Sequence, residues 1–264
     1  MRYNLHTHTF RCHHASGDDR AYIEAAIQAG MHTLGFADHS PQFFPTNHYS
    51  HFRMRPEAAA KYVASLRALK EEYKKDIRIL IGFETEYYPA IFDDLTAFIA
   101  PLELDYLIMG QHFLRNEYEA LHCRADNPSR EEAELYVQQT LEGLQTGAFT
   151  YIAHPDIFRH TDPVFYRELM TDFCRRLKSM RIPVEYNILG YRKQKWYPHP
   201  AFWQIVAETG NHVVLGYDAH NPEALLDRKT YDTCLGCLNA LGITPIRFGD
   251  IVIRKPTENT KRSV

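Results

Sequence analysis

Near the N-terminus lies the β-like run Arg2-Tyr3-Asn4-Leu5-His6-Thr7-His8-Thr9. His6 and His8 are two residues apart, and side chains with this spacing on a strand point to the same face. Neutral imidazole is the commonest metal ligand among protein side chains. The run therefore predicts a first strand that carries two metal-binding histidines. His13 and His14 follow it before the first predicted helix.

Outward from this strand, the sequence alternates short β-rich runs with helical patterns, which is typical of βα units around a parallel sheet. We predict seven strands, at about residues 3–7, 33–37, 77–83, 106–109, 149–153, 183–187 and 212–216. A last β-like run is predicted at residues 244–253. Seven such units indicate an α/β fold, an incomplete or distorted (β/α) barrel. Functional groups in such barrels lie at the C-terminal ends of the strands.

The composition is that of a globular protein, with 264 residues, 45% of them hydrophobic and 24% charged. Barrels of this length form one unit, so we predict a single domain over residues 1–264. A formal net charge of -3 without a basic stripe argues against a nucleic-acid partner. The absence of a long apolar run or a signal-peptide core argues against a membrane partner.

The five cysteines are scattered along the chain, which favours a reducing compartment over a disulfide framework. We therefore expect a cytoplasmic protein. Cys234 and Cys237 form a CxxC pair within a helical pattern, and we interpret them as core residues of that helix rather than as a metal or redox centre.

Side chains that can bind metal follow nearly every predicted strand. They are His6, His8 and His14 at the first strand, His39 at the second, Glu84 at the third, His112 at the fourth, His154 at the fifth, and Asp218 and His220 at the seventh. In a parallel barrel these strand ends meet at one rim, so the groups are expected to converge. Each one left buried and unpaired would cost roughly 1–3 kcal/mol. Metal coordination would compensate for that cost, so the pattern predicts a multi-metal site.

These residues resemble the motifs of the polymerase and histidinol phosphatase (PHP) family. The matching segments are His6-Thr7-His8, Cys12-His13-His14-Ala15, Asp38-His39, Gly82-Phe83-Glu84, His112, Ala153-His154-Pro155 and Asp218-Ala219-His220. The resemblance covers nearly the whole chain and is greatest to the histidinol-phosphatase branch. It implies a distorted TIM-like (β/α)7 barrel with a trinuclear metal centre at the C-terminal ends of the strands.

The resemblance also implies how the ligands are shared among three divalent ions. One ion would be held by His6, His8, Glu84 and Asp218, a second by Glu84, His112 and His154, and a third by His14, His39 and His220. A nitrogen-rich set of this kind suits Zn, Mn or Fe. Asp218 and His220 would be catalytic, beside a metal-bound hydroxide that acts as the nucleophile.

The implied reaction is hydrolysis of a phosphate monoester. The resemblance points to L-histidinol phosphate as the substrate, giving L-histidinol and phosphate in histidine biosynthesis. Two alternatives stay open: a phosphatase of nucleotides or other small phosphate esters, and a metal-binding module without turnover. The expected partner is a small phosphate monoester, and the sequence does not indicate an oligomeric state.

Four further residues are candidate substrate contacts. Arg192 could clamp the phosphate or be an exposed surface charge. Glu86 could recognise a cationic group of the substrate or orient a ligand histidine. His48 and Arg53 lie in a long aromatic loop, residues 41–55, which could close over the site as a lid or pack its own aromatic side chains.

Overall fold

The computed structural model describes residues 2–48, 50–126, 128–194 and 196–256. Four strands form a parallel sheet in chain order: β1 (Arg2–Asn4), β2 (Met31–His39), β3 (Arg78–Thr85) and β4 (Tyr106–Met109). Two more form a second parallel pair: β5 (Val184–Asn187) and β6 (Val213–Gly216). Every strand pair is parallel, as the alternation of β-like and helical runs predicts.

Single-residue bridges join these two sheets into a closed, distorted (β/α)7 barrel. The parallel bridges link Met109 to Ile152, Ile152 to Val184, and Thr7 to Ala219. The fifth strand position, predicted at residues 149–153, is therefore filled by one bridging residue rather than by a regular strand. The bridge at Thr7 closes the ring beside His6 and His8, so the run that opens the sequence lies on the seam of the barrel.

Helices surround the barrel, and their starts follow from local capping. They are α1 (Asp19–Gln28), α2 (Pro56–Glu72), α3 (Phe92–Ile99), α4 (Arg130–Gln145), α5 (Pro163–Ser179), α6 (Ile188–Arg192), α7 (Pro200–Thr209), α8 (Glu223–Leu226) and α9 (Arg228–Ala240). Asp18 accepts a hydrogen bond from Ala21 at the start of α1. Ser129 and Glu132 form a reciprocal capping box at the start of α4. Such caps satisfy backbone N–H groups that have no partner within the helix.

The last predicted strand is wrong. Residues 244–253 contain a short 3-10 helix, Phe248–Asp250, and extended chain instead of a strand. Ile251 packs in the small apolar cluster inside the barrel, together with Leu5 and Leu80. Ile246 makes one backbone hydrogen bond to Val213, at the start of β6. The apolar pattern thus reflects a segment that covers the N-terminal end of the barrel, and pairing along the sheet is not needed to bury it.

The cysteines are placed as the sequence suggested. Cys234 lies in the main apolar core, and Cys237 packs against its edge. All five cysteines are free. Among the described residues, no helix has both the length and the apolar character needed to cross a membrane.

Candidate metal centre

Nine histidine, glutamate and aspartate side chains converge at the C-terminal ends of the strands. They are the nine singled out in the sequence: His6, His8, His14, His39, Glu84, His112, His154, Asp218 and His220. Six are buried, and the remaining three, His14, His112 and His220, lie nearer the surface. The parallel barrel brings them together because the C-terminal ends of all its strands point to the same rim.

The centre of this group is formed by His6, His8, Glu84 and Asp218. The Nε2 atoms of His6 and His8 are 3.1 Å apart, and each lies 3.5 Å from Glu84 Oε2. His8 Nε2 lies 3.1 Å from Asp218 Oδ1. Two ligand atoms that share one ion at about 2.0–2.2 Å are brought to roughly this separation. The spacing of the four side chains therefore suits a common cation.

Two further groups flank this centre. On one side, His154 Nε2 lies 2.9 Å and His112 Nε2 3.7 Å from Glu84 Oε1. On the other side, the Nε2 atoms of His14 and His220 are 2.9 Å apart. The structure thus brings together the members of the first two sets that the resemblance implies, and it places His14 beside His220 from the third set.

The grouping on the outer side differs in detail from the implied set. The ring of His39 lies closer to His8, at 4.4 Å between centroids, than to His14, at 5.4 Å. The Cys12 sulfur lies among the ligand atoms of His14 and His220. Our sequence interpretation gave cysteine no place among the ligands, although Cys12 belongs to the same motif as His14.

The backbone is locally strained where two of these residues are presented. His154 has φ 29° and Asp218 has φ 49°, and both are non-glycine residues in the left-handed region. Such conformations cost about 1–3 kcal/mol each and persist where the surroundings enforce them, often at functional sites. Two glycines provide space for acidic groups: a Cβ atom at Gly110 would overlap Glu84, and one at Gly216 would overlap Glu185.

A layer of carboxylates behind the histidines orients the rings. Glu185 Oε1 lies 2.9 Å from His6 Nδ1, and Glu86 Oε1 lies 2.8 Å from His112 Nδ1. A ring nitrogen that donates to a carboxylate leaves the other nitrogen free to bind metal. Our sequence interpretation gave Glu185 no role. Strand alternation could have indicated a role for Glu185, because it places Glu185 on the same face of β5 as Asn187.

The pKa values of buried groups in the centre show how strongly its carboxylates and histidines interact. Burial opposes ionisation of Glu84, but His6, His39 and His112 hold its pKa well below the usual range. Burial likewise opposes protonation of His6, yet Glu185, Asp218 and Glu84 raise its pKa to about 10. The buried carboxylates are therefore stabilised by positive charge beside them, which a protonated imidazole or a metal ion can supply.

Divalent metal ions fit these residues. His39 Nδ1 lies 3.1 Å from Glu84 Oε2 and Asp218 Oδ1 lies 3.1 Å from His8 Nε2, yet neither atom makes a well-formed hydrogen bond to a described residue. Leaving such atoms unsatisfied is normally costly. Imidazole nitrogen suits Zn, Mn and Fe, and carboxylate oxygen adds the negative charge that balances a dication. The donor types, their spacing and these unpaired atoms together favour divalent metal binding.

A cavity of about 350 Å³ opens onto the candidate ligands. Its other walls are formed by Phe52, Phe113, His122, Arg124, Ile157, Leu189, Lys193 and Tyr197. Arg124 and Lys193 are exposed cations at its edge. The rings of Phe52 and Phe113 are stacked with centroids 6.1 Å apart. The cavity therefore combines a metal-binding floor, an aromatic wall and a basic edge, on the scale of a small ligand.

The four expected substrate contacts are not among the residues that line this cavity. Arg53 is buried and forms ion pairs with Glu86 and Glu117, so its charge does not face the cavity. Glu86 orients His112, which is the second of its two expected roles. His48 contacts Glu117 through Nε2 at 3.0 Å.

Arg192 is the last residue of α6, and its charge helps to lower the pKa of Asp227, outside the cavity. The neighbouring Lys193 lines the cavity instead. The direction in which each side chain leaves the end of a short helix depends on the fold around it. The sequence alone therefore did not distinguish these two cations.

The aromatic loop at residues 41–55 packs aromatic side chains against neighbouring segments and also contributes to the cavity wall. The ring of Phe43 packs against Phe98 at 4.9 Å, and that of Phe44 packs against Tyr118 at 5.8 Å. Phe52 faces the cavity, with its ring 5.2 Å from His39. One part of the loop therefore buries its own aromatic side chains, and another part forms a wall of the site.

Comparisons with known proteins agree with this geometry. The PHP domain family model matches residues 4–188. A probable histidinol-phosphatase from Deinococcus radiodurans is 30% identical over 227 residues, which cover 82% of this chain and 85% of that protein. A probable histidinol-phosphatase from Schizosaccharomyces pombe is 26% identical over 275 residues, covering 93% of this chain and 89% of the relative.

A solved structure shows the same fold. It is the crystal structure of histidinol phosphate phosphatase from Lactococcus lactis subsp. lactis, complexed with zinc, L-histidinol and phosphate. It matches with a TM-score of 0.66 and 18% identity, over 96% of this chain and 97% of that one. At this identity the likeness establishes the fold alone.

Proposed function

The chain belongs to the PHP domain family, and from this premise we propose that it hydrolyses L-histidinol phosphate to L-histidinol and phosphate in histidine biosynthesis. The observation that carries the proposal is the convergence of nine candidate metal-ligand side chains, eight of which line a cavity of about 350 Å³. Relatives named histidinol-phosphatase that align with most of the chain support the choice of substrate.

We propose that three divalent ions, of Zn, Mn or Fe, are held by the three ligand sets implied by the resemblance. When bound, such ions supply an activated water at neutral pH and positive charge for the phosphoryl oxygens. The pairs of facing Nε2 atoms, His6 with His8 and His14 with His220, support two of these sets. The shared contacts of Glu84 with His154 and His112 support the third.

Asp218 and His220 are proposed to act closest to the reacting phosphoryl group. Both line the cavity, and Asp218 Oδ1 makes no hydrogen bond to any described residue. This oxygen faces His8 Nε2 at 3.1 Å, so Asp218 would act as a metal ligand beside the reacting water. Asn187 Nδ2 donates to Asp218 Oδ2 at 3.2 Å and so helps to fix the direction of Oδ1.

The substrate is proposed to be held by residues at the cavity edge. Lys193 and Arg124 provide fixed positive charge for phosphate oxygens, which both side chains bind well. The stacked pair Phe52 and Phe113 provides an apolar aromatic surface for the imidazole ring of histidinol. We also propose that residues 1–264 form one domain, because Ile251 completes the cluster inside the barrel.

One feature favours a second candidate, the hydrolysis of more highly charged phosphate esters such as nucleotides. Of the described residues that line the cavity, only Glu84 and Asp218 are acidic, and both are candidate ligands. The lining therefore offers no other carboxylate for the ammonium group of histidinol. Two cations at the edge suit additional negative charge.

Phosphate release from a panel of esters distinguishes these candidates. The panel contains L-histidinol phosphate, a nucleoside monophosphate, a nucleoside diphosphate and an aryl phosphate, each at matched concentration with and without a chelator. We expect metal-dependent release with kcat/KM highest for L-histidinol phosphate. A higher kcat/KM for the nucleotides would replace the first candidate with the second. Absence of release from every ester would favour a metal-binding module without turnover.

A cytoplasmic location is also proposed. All five cysteines are free, and four of them are buried. Free thiols persist in reducing compartments. This matches the location expected of a biosynthetic enzyme.

A further inference from the structure

A buried arginine connects one candidate metal ligand to two loops at the mouth of the cavity. Arg53 lies between β2 and α2, and its side chain is only 2% exposed. Its two terminal nitrogens donate to the two oxygens of Glu86, and Nε donates to Glu117 Oε2 at 2.6 Å. All three guanidinium nitrogens are therefore engaged inside the protein.

Glu86 carries this connection to the metal centre. The oxygen that accepts from Arg53 Nη2 also lies 2.8 Å from Nδ1 of His112. His112 Nε2 then faces Glu84. A carboxylate that binds one ring nitrogen fixes both the tautomer and the direction of the other nitrogen. Arg53 thus holds in place the group that orients His112.

The same guanidinium ties the two loops to each other. Glu117 follows His112 in the loop between β4 and α4, and its second oxygen lies 3.0 Å from His48 Nε2. Arg53 and His48 both belong to the loop before α2. The Arg53 guanidinium also lies 4.5 Å from the ring centre of Phe52, which lines the cavity. A displacement of Arg53 would therefore move a wall of the cavity.

The charge balance shows why an arginine is required. Glu86 and Glu117 are 1% and 5% exposed, and Arg53 makes direct ion pairs with both. A guanidinium can bind one carboxylate with two nitrogens while its third nitrogen binds another, whereas an ammonium cannot match this geometry. Removing one partner from such a buried network leaves uncompensated charge.

We propose that Arg53 is a positioning residue that sets the affinity for the ion bound through His112 and holds the two loops at the cavity mouth together. It acts through Glu86 on the ligand and through Glu117 on the loops. The proposal rests on the proposed function only in that His112 binds a metal ion. The identity of the substrate does not enter it.

The test compares Arg53→Met with Arg254→Met as a matched control. Arg254 lies at the opposite end of the barrel, half-buried, and donates to Met180 O at 2.9 Å. Zinc affinity is measured by competition with a chromophoric chelator, and loop opening by amide hydrogen exchange of the metal-free proteins. For Arg53→Met we expect affinity for one ion to fall about 10- to 100-fold, as for other partners of metal-binding histidines.

We also expect hydrogen exchange in Arg53→Met to become faster in both loops, residues 41–55 and 112–126, together. Arg254→Met is expected to retain wild-type values in both measurements. Wild-type zinc affinity in a folded Arg53→Met protein would overturn the proposal. Faster exchange spread over the whole chain, rather than concentrated in these loops, would also overturn it.

A second variant, Glu117→Gln, keeps the proposal testable if Arg53→Met does not fold. It preserves side-chain shape and leaves the contact between Glu86 and His112 in place. We expect faster exchange in both loops and a loss of affinity of roughly threefold, equivalent to one weakened hydrogen bond. Unchanged exchange in the two loops would contradict the proposed tie.

Failure of the proposed function has a different signature. A wild-type protein that binds zinc but releases no phosphate from L-histidinol phosphate would reject the substrate assignment. The effect of Arg53→Met would still be measured by zinc affinity and amide hydrogen exchange, because neither measurement uses substrate. A wild-type protein that binds no divalent ion would reject both proposals together.

Discussion

The two ends of the barrel are built from different chemistry. At the C-terminal ends of the strands, buried histidines and carboxylates face one another, and His154 and Asp218 have left-handed backbone conformations. At the N-terminal ends, Ile246 and Ile251 from the last segment cover the apolar interior of the barrel. Within the described residues, buried polar atoms at the C-terminal ends of the strands lack hydrogen-bond partners, and the opposite end is closed by apolar packing.

This difference shows how stability and function are divided within one barrel. The lower end of the barrel is the end where the N-terminal ends of the strands lie. Apolar burial there stabilises the fold without any ligand, because its free energy depends on the area removed from water. The upper end of the barrel, where the C-terminal ends of the strands lie, gathers strained residues and buried carboxylates, whose burial is unfavourable unless positive charge compensates it. Four experiments test this division between the two ends.

The largest effect is expected from removal of metal. Treatment with a strong chelator should abolish phosphate release, and addition of Zn²⁺ or Mn²⁺ should restore it. Bound metal should also raise the melting temperature, because each ion at 100 times its Kd stabilises the folded state by about 2.7 kcal/mol. Thermal melts and phosphate assays of the same samples check both effects. Activity that survives complete chelation would contradict the role assigned to the upper end.

Asp218→Asn should lower kcat/KM by at least about 100-fold, since even groups behind metal ligands change activity by 10- to 100-fold. The substitution preserves shape but removes one of the carboxylates that raise the pKa of His6, so the unfolding free energy of the metal-free protein should fall only modestly while activity is lost. Asp232→Asn is the matched control on α9, where its ion pair with Arg228 is exposed. Kinetics and denaturant titrations separate the two effects. An Asp218→Asn protein that is destabilised but active would show that Asp218 contributes to stability rather than to catalysis.

Ile251→Ala tests the lower end. Truncation of this buried side chain should reduce the unfolding free energy by about 2–3 kcal/mol, the low part of the range for buried isoleucine. Phosphatase activity per folded molecule should stay at the wild-type level. Val252→Ala changes the neighbouring residue, which is 62% exposed, and should alter neither quantity. Loss of activity without loss of stability in Ile251→Ala would show that the two ends are not separate.

The smallest effect is expected at the cavity edge. Lys193→Ala should raise KM about 10-fold, the equivalent of about 1.4 kcal/mol, through loss of one charge at the cavity. Arg192→Ala should change KM less than Lys193→Ala does, because Arg192 does not line the cavity. Steady-state kinetics on both variants compares adjacent residues directly. A larger effect for Arg192 would restore it as the phosphate contact.

Much of the fold could be predicted from the sequence. The β-like and helical runs predicted the order of the strands, and the capping residues Asp18 and Ser129 begin helices α1 and α4. These features are local, since capping and side-chain alternation depend on neighbouring residues in the chain. The segment at residues 244–253 was misassigned, because an apolar pattern does not reveal whether the chain pairs with a sheet or covers a barrel.

Some features of the candidate site could likewise be predicted from the sequence, and others could not. The sequence alone showed which side chains can bind metal and that they follow the strands, beginning with His6 and His8. The contact of Glu86 with His112, the burial of Arg53 beside it and the position of Lys193 at the cavity became clear from the tertiary structure. Strand alternation fixes the face of a residue, whereas the partners of a loop side chain are set by contacts between segments far apart in sequence.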